Sequence, residues 1–329
     1  MHPRIFHSLP QPLFLPATAD SAPNDALSLF DQGHYWAAAE AAAHRLSQPP
    51  PPSQEELLRL FHSRLVALVK LNHISIAVTE AHAFEDVQSP YYRIESTDEY
   101  MLPWGLRVLV IRLQSLGHSG PKSGGVGTLY ELVREARAGW RDARSSEDET
   151  MWRRRLEQLG WITVDMLIEG GDLKGAVRQM KGLKVRGREE QWATRMALLL
   201  MKMGDLDGAK RVLDQIDGDT LVLEAVLKIC EGEASESSGL PVEVDSTIAS
   251  VNNTAIANFY SGHVEQSVDT LSWLVQEGKI NREPIFNLST CYELMAERAV
   301  KERKQELVEK VGKNVQSQDQ ALGPTDFKM

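Results

Sequence analysis

Apolar residues recur along most of this chain at helical rather than strand spacing. Leu57, Phe61, Leu65, Leu68 and Leu71 fall on one face of a helix with a period near 3.6. Ser53 and Glu56 form a capping box ahead of that stripe, and Ser146 with Glu149 forms another ahead of a long helical run. Strand signals are almost absent, since the best short run, Trp161 to Val164, sits inside a helical pattern. Nine of the fifteen prolines precede residue 53, and none lies between Lys122 and Leu240. Such a stretch suits continuous helices, because proline removes a backbone donor and clashes with the preceding turn. Ser119–Gly127 reads as a flexible loop and Glu231–Gly239 as an acidic, solvated one. The pattern predicts an all-α chain in three parts. A Pro-rich tail covers 1–24, a helical body covers 25–313 with loops near 119–127 and 231–247, and a polar tail covers 314–329. The charged stretch Glu293–Lys313 is expected to close the body, with Leu294, Leu307, Val308 and Val311 pointing inward.

The body repeats. Gly171-Asp172-Leu173 followed by Ala176 recurs 33 residues later as Gly204-Asp205-Leu206 followed by Ala209. Asn253 and Asn287 are 34 residues apart, as are Ala255 and Ser289, and 34 is the length of a tetratricopeptide unit. The pattern glycine, apolar residue two on, small residue five on also starts at Gly33 (Tyr35, Ala38) and at Gly262 (Val264, Ser267). Asn72, Ile74 and Ala77 repeat it with asparagine in place of glycine. The physical reading is specific. Glycine or asparagine ends a first helix in a left-handed cap. The apolar residue then folds back onto that helix, and the small residue lets the second helix cross closely. A non-repeating bundle would need both the period and the offset to coincide by accident. The expected fold is an α-solenoid of about six or seven tetratricopeptide-like hairpins in a right-handed superhelix.

Composition narrows the chemistry. A net charge of −10 argues against a nucleic-acid or anionic-membrane surface, which needs clustered Lys and Arg. No apolar run approaches the roughly 18–20 residues that cross a bilayer, so direct membrane insertion is not expected. The start of the chain lacks a continuous apolar core and does not read as a secretory signal. Two distant cysteines, Cys230 and Cys291, provide neither a disulfide framework nor a zinc site, and a reducing cytosol is the expected compartment. The glycine-rich run from Gly117 has Pro121 directly before Lys122, where a phosphate-binding loop needs glycine. Of the nine histidines only His2 and His7 have a metal-like spacing, and no cysteine stands near them. No Gly-x-Ser-x-Gly elbow occurs. No catalytic, cofactor or metal site is expected. Arg153–Arg155 and Lys301–Lys304 read first as solvated helix faces.

One stretch carries a resemblance. Val251-Asn252-Asn253-Thr254-Ala255, followed by Phe286-Asn287-Leu288-Ser289-Thr290-Cys291-Tyr292-Glu293-Leu294, resembles the ending of the subunit-12 family of the transport protein particle (TRAPP) complex. Tyr91-Tyr92, Pro103 and the run Leu106–Gly117 are similar to that family's paired tyrosines and next helix, and the likeness continues through Trp152–Leu159 and the Gly171 repeat. It covers roughly residues 26–313. One departure is that Glu231–Pro241 replaces most of a helix that the family places before its asparagine-rich helix. The resemblance implies a non-catalytic scaffold subunit of a vesicle-tethering assembly whose core exchanges nucleotide on Rab-family GTPases. It further implies other large TRAPP subunits as partners and a Rab GTPase as an indirect one. The expected setting is the cytoplasm beside endoplasmic-reticulum and Golgi membranes, with work in transport between the two and in autophagy.

The residues expected to carry partner binding are Asn252, Asn253, Asn287 and Tyr292 on first-helix positions. A structural role competes, because such an asparagine often bridges adjacent hairpins and such a tyrosine is commonly core. The other functional reading is a chaperone-adaptor module gripping the C-terminal carboxylate of a partner peptide. That grip needs lysines, and the inward positions Asn252, Ile256 and Tyr260 include none.

Overall fold

A computed structural model describes residues 6–9, 25–96, 99–117, 125–183, 187–216, 220–232, 247–279, 281–295, 300–315, 322 and 327–328. Fifteen α-helices and no strand occur among them; a single antiparallel bridge joins Arg93 to Tyr100. The chain separates into two compact units, which divide between residues 186 and 187.

The first unit holds α1 (Ala26–Asp31), α2 (Tyr35–Ser47), α3 (Gln54–Lys70), α4 (Ile74–Ala81), α5 (Trp104–Gly117), α6 (Gly125–Arg141), α7 (Ser146–Glu169) and α8 (Leu173–Gly182). The second holds α9 (Glu189–Met203), α10 (Leu206–Leu213), α11 (Leu221–Glu231), α12 (Ile248–Tyr260), α13 (Val264–Gln276), α14 (Arg282–Leu294) and α15 (Val300–Val315). Within each unit the packing partners are sequence neighbours (α2 on α3, α6 on α7, α12 on α13) or next-but-one neighbours such as α12 on α14. Nearest-neighbour packing of this kind is what an α-solenoid requires.

Five interhelix turns share one geometry. Gly33, Asn72, Gly171, Gly204 and Gly262 have φ of 86°, 61°, 79°, 84° and 85°. At each, the next residue's N–H donates to the carbonyl five positions back, as His34 to Leu29, His73 to Leu68, Asp172 to Leu167, Asp205 to Leu200 and His263 to Asn258, all at 2.8–2.9 Å. This is the Schellman closure, which satisfies carbonyls left over at the helix end. The small residues Ala38, Ala77, Ala176, Ala209 and Ser267 are all buried, as close helix crossing demands. In two copies the aspartate after the glycine caps the second helix: Asp172 accepts from Gly175 N–H at 2.8 Å and Asp205 from Gly208 N–H at 2.9 Å. A Cβ on Gly175 or Gly208 would meet that carboxylate at 2.1 or 2.4 Å, which accounts for a second shared glycine in each copy.

Several sequence expectations shift. Ser53 caps α3 by accepting from Glu56 N–H, but α7 is capped by Ser145, which accepts from Asp148 N–H; Ser146 is already helical. Gly125–Gly127 open α6 instead of ending a loop, and 118–124 lie outside the described residues. Glu231 ends α11 and Gly232 follows at φ 84°, while 233–246 are not described. At the far end α15 continues to Val315, and Leu322 and Phe327 are buried with Leu307 and Val311 in the core built from α12, α13 and α14. Those two residues close the apolar end of the second unit, which a purely polar tail would leave wet. Lys304 is likewise buried rather than solvated, because its ammonium donates to Glu293 Oε1 at 2.7 Å and to the Lys328 carbonyl at 2.9 Å. Arg155 stacks at 4.4 and 4.7 Å on Trp152 and Trp104, and Arg153 pairs with Glu149 one turn back.

Candidate functional site

The expected binding residues lie on α12 and α14, the first helices of the last two hairpins. Both helices are thirteen residues long, and Ile248 and Arg282, like Tyr260 and Leu294, are separated by 34 positions. The structure joins Asn252 and Asn287 directly: the Asn287 amide donates to Asn252 Oδ1 at 2.9 Å. That bond lies side by side with the α12–α14 packing and fixes the register between the hairpins. Asn253 is half-buried at the next position of α12. Tyr292 is also half-buried; it packs on the unit's apolar core, and the Arg303 guanidinium stands 5.6 Å above its ring. Burial pushes its phenol above the usual range, against the opposing pull of a hydrogen bond with Ser272 and of Arg303. Tyr292 therefore touches α13 and α15 as well as its own helix. Of the four, the structure brings Asn252 and Asn287 together, and Asn252, Asn287 and Tyr292 make contacts inside the unit.

What the helices expose lies beside them. Positions 252, 256 and 260 share one face of α12, and 286, 290 and 294, each 34 later, are their counterparts on α14. Tyr260, Phe286 and Leu294 on this face are 61%, 44% and 59% exposed. Leu294 thus points outward, contrary to its expected place in the core, because it occupies the Tyr260 position of the repeat. Three large, partly exposed apolar side chains on two bonded helices form a strip of the kind that marks protein contacts. Charge reaches this face at Phe286: Lys328 Nζ lies 5.2 Å over the ring and donates to Thr290 Oγ1 at 3.3 Å and Glu293 Oε2 at 2.7 Å. Lys304 and Lys328 hold the Glu293 carboxyl below its ordinary range. No lysine stands at any of the six face positions, and the Lys328 ammonium that reaches the face is bonded to Thr290 and Glu293. The 34-residue offset applied to Asn252 and Tyr260 would have found Phe286 and Leu294 in the sequence.

In the first unit, Leu57, Leu58, Phe84, Tyr91, Tyr92 and Leu102 line a hollow of about 360 Å³. Tyr91 is exposed at its edge, and the Tyr92 hydroxyl donates to the Phe84 carbonyl at 3.0 Å. Among the described residues no group of His, Cys, Asp and Glu side chains could hold a metal ion, and no helix is long and apolar enough to cross a membrane.

No protein-family model matches the chain. The mouse protein trafficking protein particle complex subunit 12 is 24% identical to it over 307 residues, an alignment covering 77% of this chain and 37% of the mouse protein. The chain spans little more than a third of the length of the curated relative that it matches. By sequence, then, it is distantly similar to a protein named as a subunit of a trafficking complex.

Proposed function

We propose that this chain is a non-catalytic scaffold subunit that joins a TRAPP-type vesicle-tethering assembly through protein–protein contacts on its helical hairpins. The observation that carries this reading is the strip of Tyr260, Phe286 and Leu294, held in register by the Asn252–Asn287 bond. Aromatic and aliphatic side chains presented on rigid helices suit a partner helix or loop with an apolar face. The likeness to the mouse subunit gives that partner a class: other large subunits of the assembly, with a Rab-family GTPase reached only through them. On the same reading the protein works in the cytoplasm at endoplasmic-reticulum and Golgi membranes, in transport between them and in autophagy. Within each unit the hairpins are read as turns of a right-handed superhelix. Asn252, Asn253, Asn287 and Tyr292 then serve the interface mainly by placing the exposed strip.

The test is purification of the tagged chain from its own cells, followed by mass spectrometry. Recovery of the large TRAPP subunits supports the assignment. Recovery of chaperones alone, with no subunit of the assembly, rejects it.

A further inference from the structure

In the first unit a buried ion pair holds an extended piece of the chain's own backbone. Arg64 on α3 and Glu80 on α4 are both 0% exposed and pair through two bonds, Nε to Oε2 at 2.8 Å and Nη2 to Oε1 at 2.7 Å. Arg64 Nη1 also donates to the Ala39 carbonyl of α2 at 2.6 Å. The remaining capacity of the pair is filled by residue 7: Arg64 Nη2 donates to the His7 carbonyl at 2.8 Å, and the His7 N–H donates to Glu80 Oε1 at 3.0 Å. Two residues on, the Leu9 N–H donates to Glu40 Oε1 at 3.3 Å. Side chains are read only at the ends of the segment. Phe6 packs on Phe61 with ring centroids 5.5 Å apart and lies 5.4 Å from the Arg64 guanidinium, and Leu9 is buried, whereas His7 and Ser8 point to solvent.

A buried charged pair is costly unless every donor and acceptor is used. Here the pair is complete only with an extended backbone beside it. Main-chain bonds in the middle and apolar sockets at each end are how proteins recognise short extended peptides.

We propose that the notch between α2, α3 and α4 is a binding site for an extended peptide of the pattern aromatic-x-x-aliphatic, and that residues 6–9 are its resident, exchangeable ligand. The inference is independent of the strip on α12 and α14. It is tested with the full chain carrying Phe6→Ala and Leu9→Ala, and with a fluorescent peptide of residues 4–12 (Arg-Ile-Phe-His-Ser-Leu-Pro-Gln-Pro) followed by anisotropy. A tethered resident acts at roughly millimolar effective concentration, so the peptide is expected to bind the doubly substituted chain at least about ten-fold more tightly than the native one. A peptide with alanine for both apolar residues is expected not to bind. Glu40→Ala in the same background weakens capture by removing the Leu9 acceptor. Equal binding to both chains, or none to the folded variant, overturns the proposal. Loss of the helical circular-dichroism signal in the variant also overturns it, since the segment is then a fixed part of the core rather than a ligand.

Discussion

At Arg64 and Glu80 two charges sit where the apolar pattern leaves no room for them. Arg64 lies within the stripe of Phe61, Leu65 and Leu68, and Glu80 lies between Ala77 and Ala81 on the buried side of α4. Removing one partner strands the other in a dry site. Glu80→Ala is therefore expected to cost about 3–5 kcal/mol of unfolding free energy, read from denaturant titration; a loss no larger than that of an exposed charge would mean that water reaches Arg64. His62, also on α3, sits against Gly105, and burial alone lowers its pKa from the ordinary value of 6.5. The folded state therefore binds this proton less readily than the unfolded chain does. Its neutral form favours folding above the unfolded value, and that contribution is lost as pH falls below about 6.5 toward the folded value. The unfolding temperature is expected to fall between pH 7.5 and 5.5, and less so in His62→Gln. Identical pH profiles for the two chains would contradict this. Charges at stripe positions were a legible sign of a buried pair, but not of its partner. Arg64 and Glu80 are 16 residues apart on different helices, and the Phe6–Leu9 segment that completes them lies in a proline-broken stretch without periodicity.

Hairpin turns are local, and there the sequence spoke most clearly. A left-handed cap needs glycine or asparagine at one position, and a close crossing needs a small residue five positions later; all five copies have both. Gly204→Ala forces a Cβ into φ 84° and is expected to destabilise by about 1–2 kcal/mol. Asp205→Ala leaves the Gly208 N–H without its cap, at about 1 kcal/mol. Ala209→Leu overpacks the fully buried crossing of α9 and α10, at about 1–3 kcal/mol. Equilibrium unfolding of the three variants checks the order of these losses; a neutral Ala209→Leu would mean that the crossing is looser than the geometry gives. The cap of α7 shows where local reading fails. Adjacent Ser145 and Ser146 each have an acidic residue three positions later, and only backbone dihedrals, with Ser145 extended at φ −125° and ψ 157°, decide between them.

On the scale of the whole molecule, the 34-residue period matches the exposed Tyr260 of α12 with the exposed Leu294 of α14, while Asn252 bonds Asn287 one position out of that register. The period was readable from the chain; the direction in which Leu294 points was not, because apolar character alone does not distinguish a core position from an uncovered one. Burial of Leu322 and Phe327 was equally hidden, since isolated apolar residues in a polar stretch carry no period. Surface truncations away from caps and core change stability by about 0.5 kcal/mol or less, so Tyr260→Ala with Leu294→Ala separates folding from binding. The most direct measurement is quantitative co-purification of TRAPP subunits with the native chain and with this double variant, at matched helical content. Loss of recovery by about ten-fold or more, as expected when exposed apolar anchors are removed, is the predicted result. Equal recovery from both chains would contradict the claim that this face holds the partner.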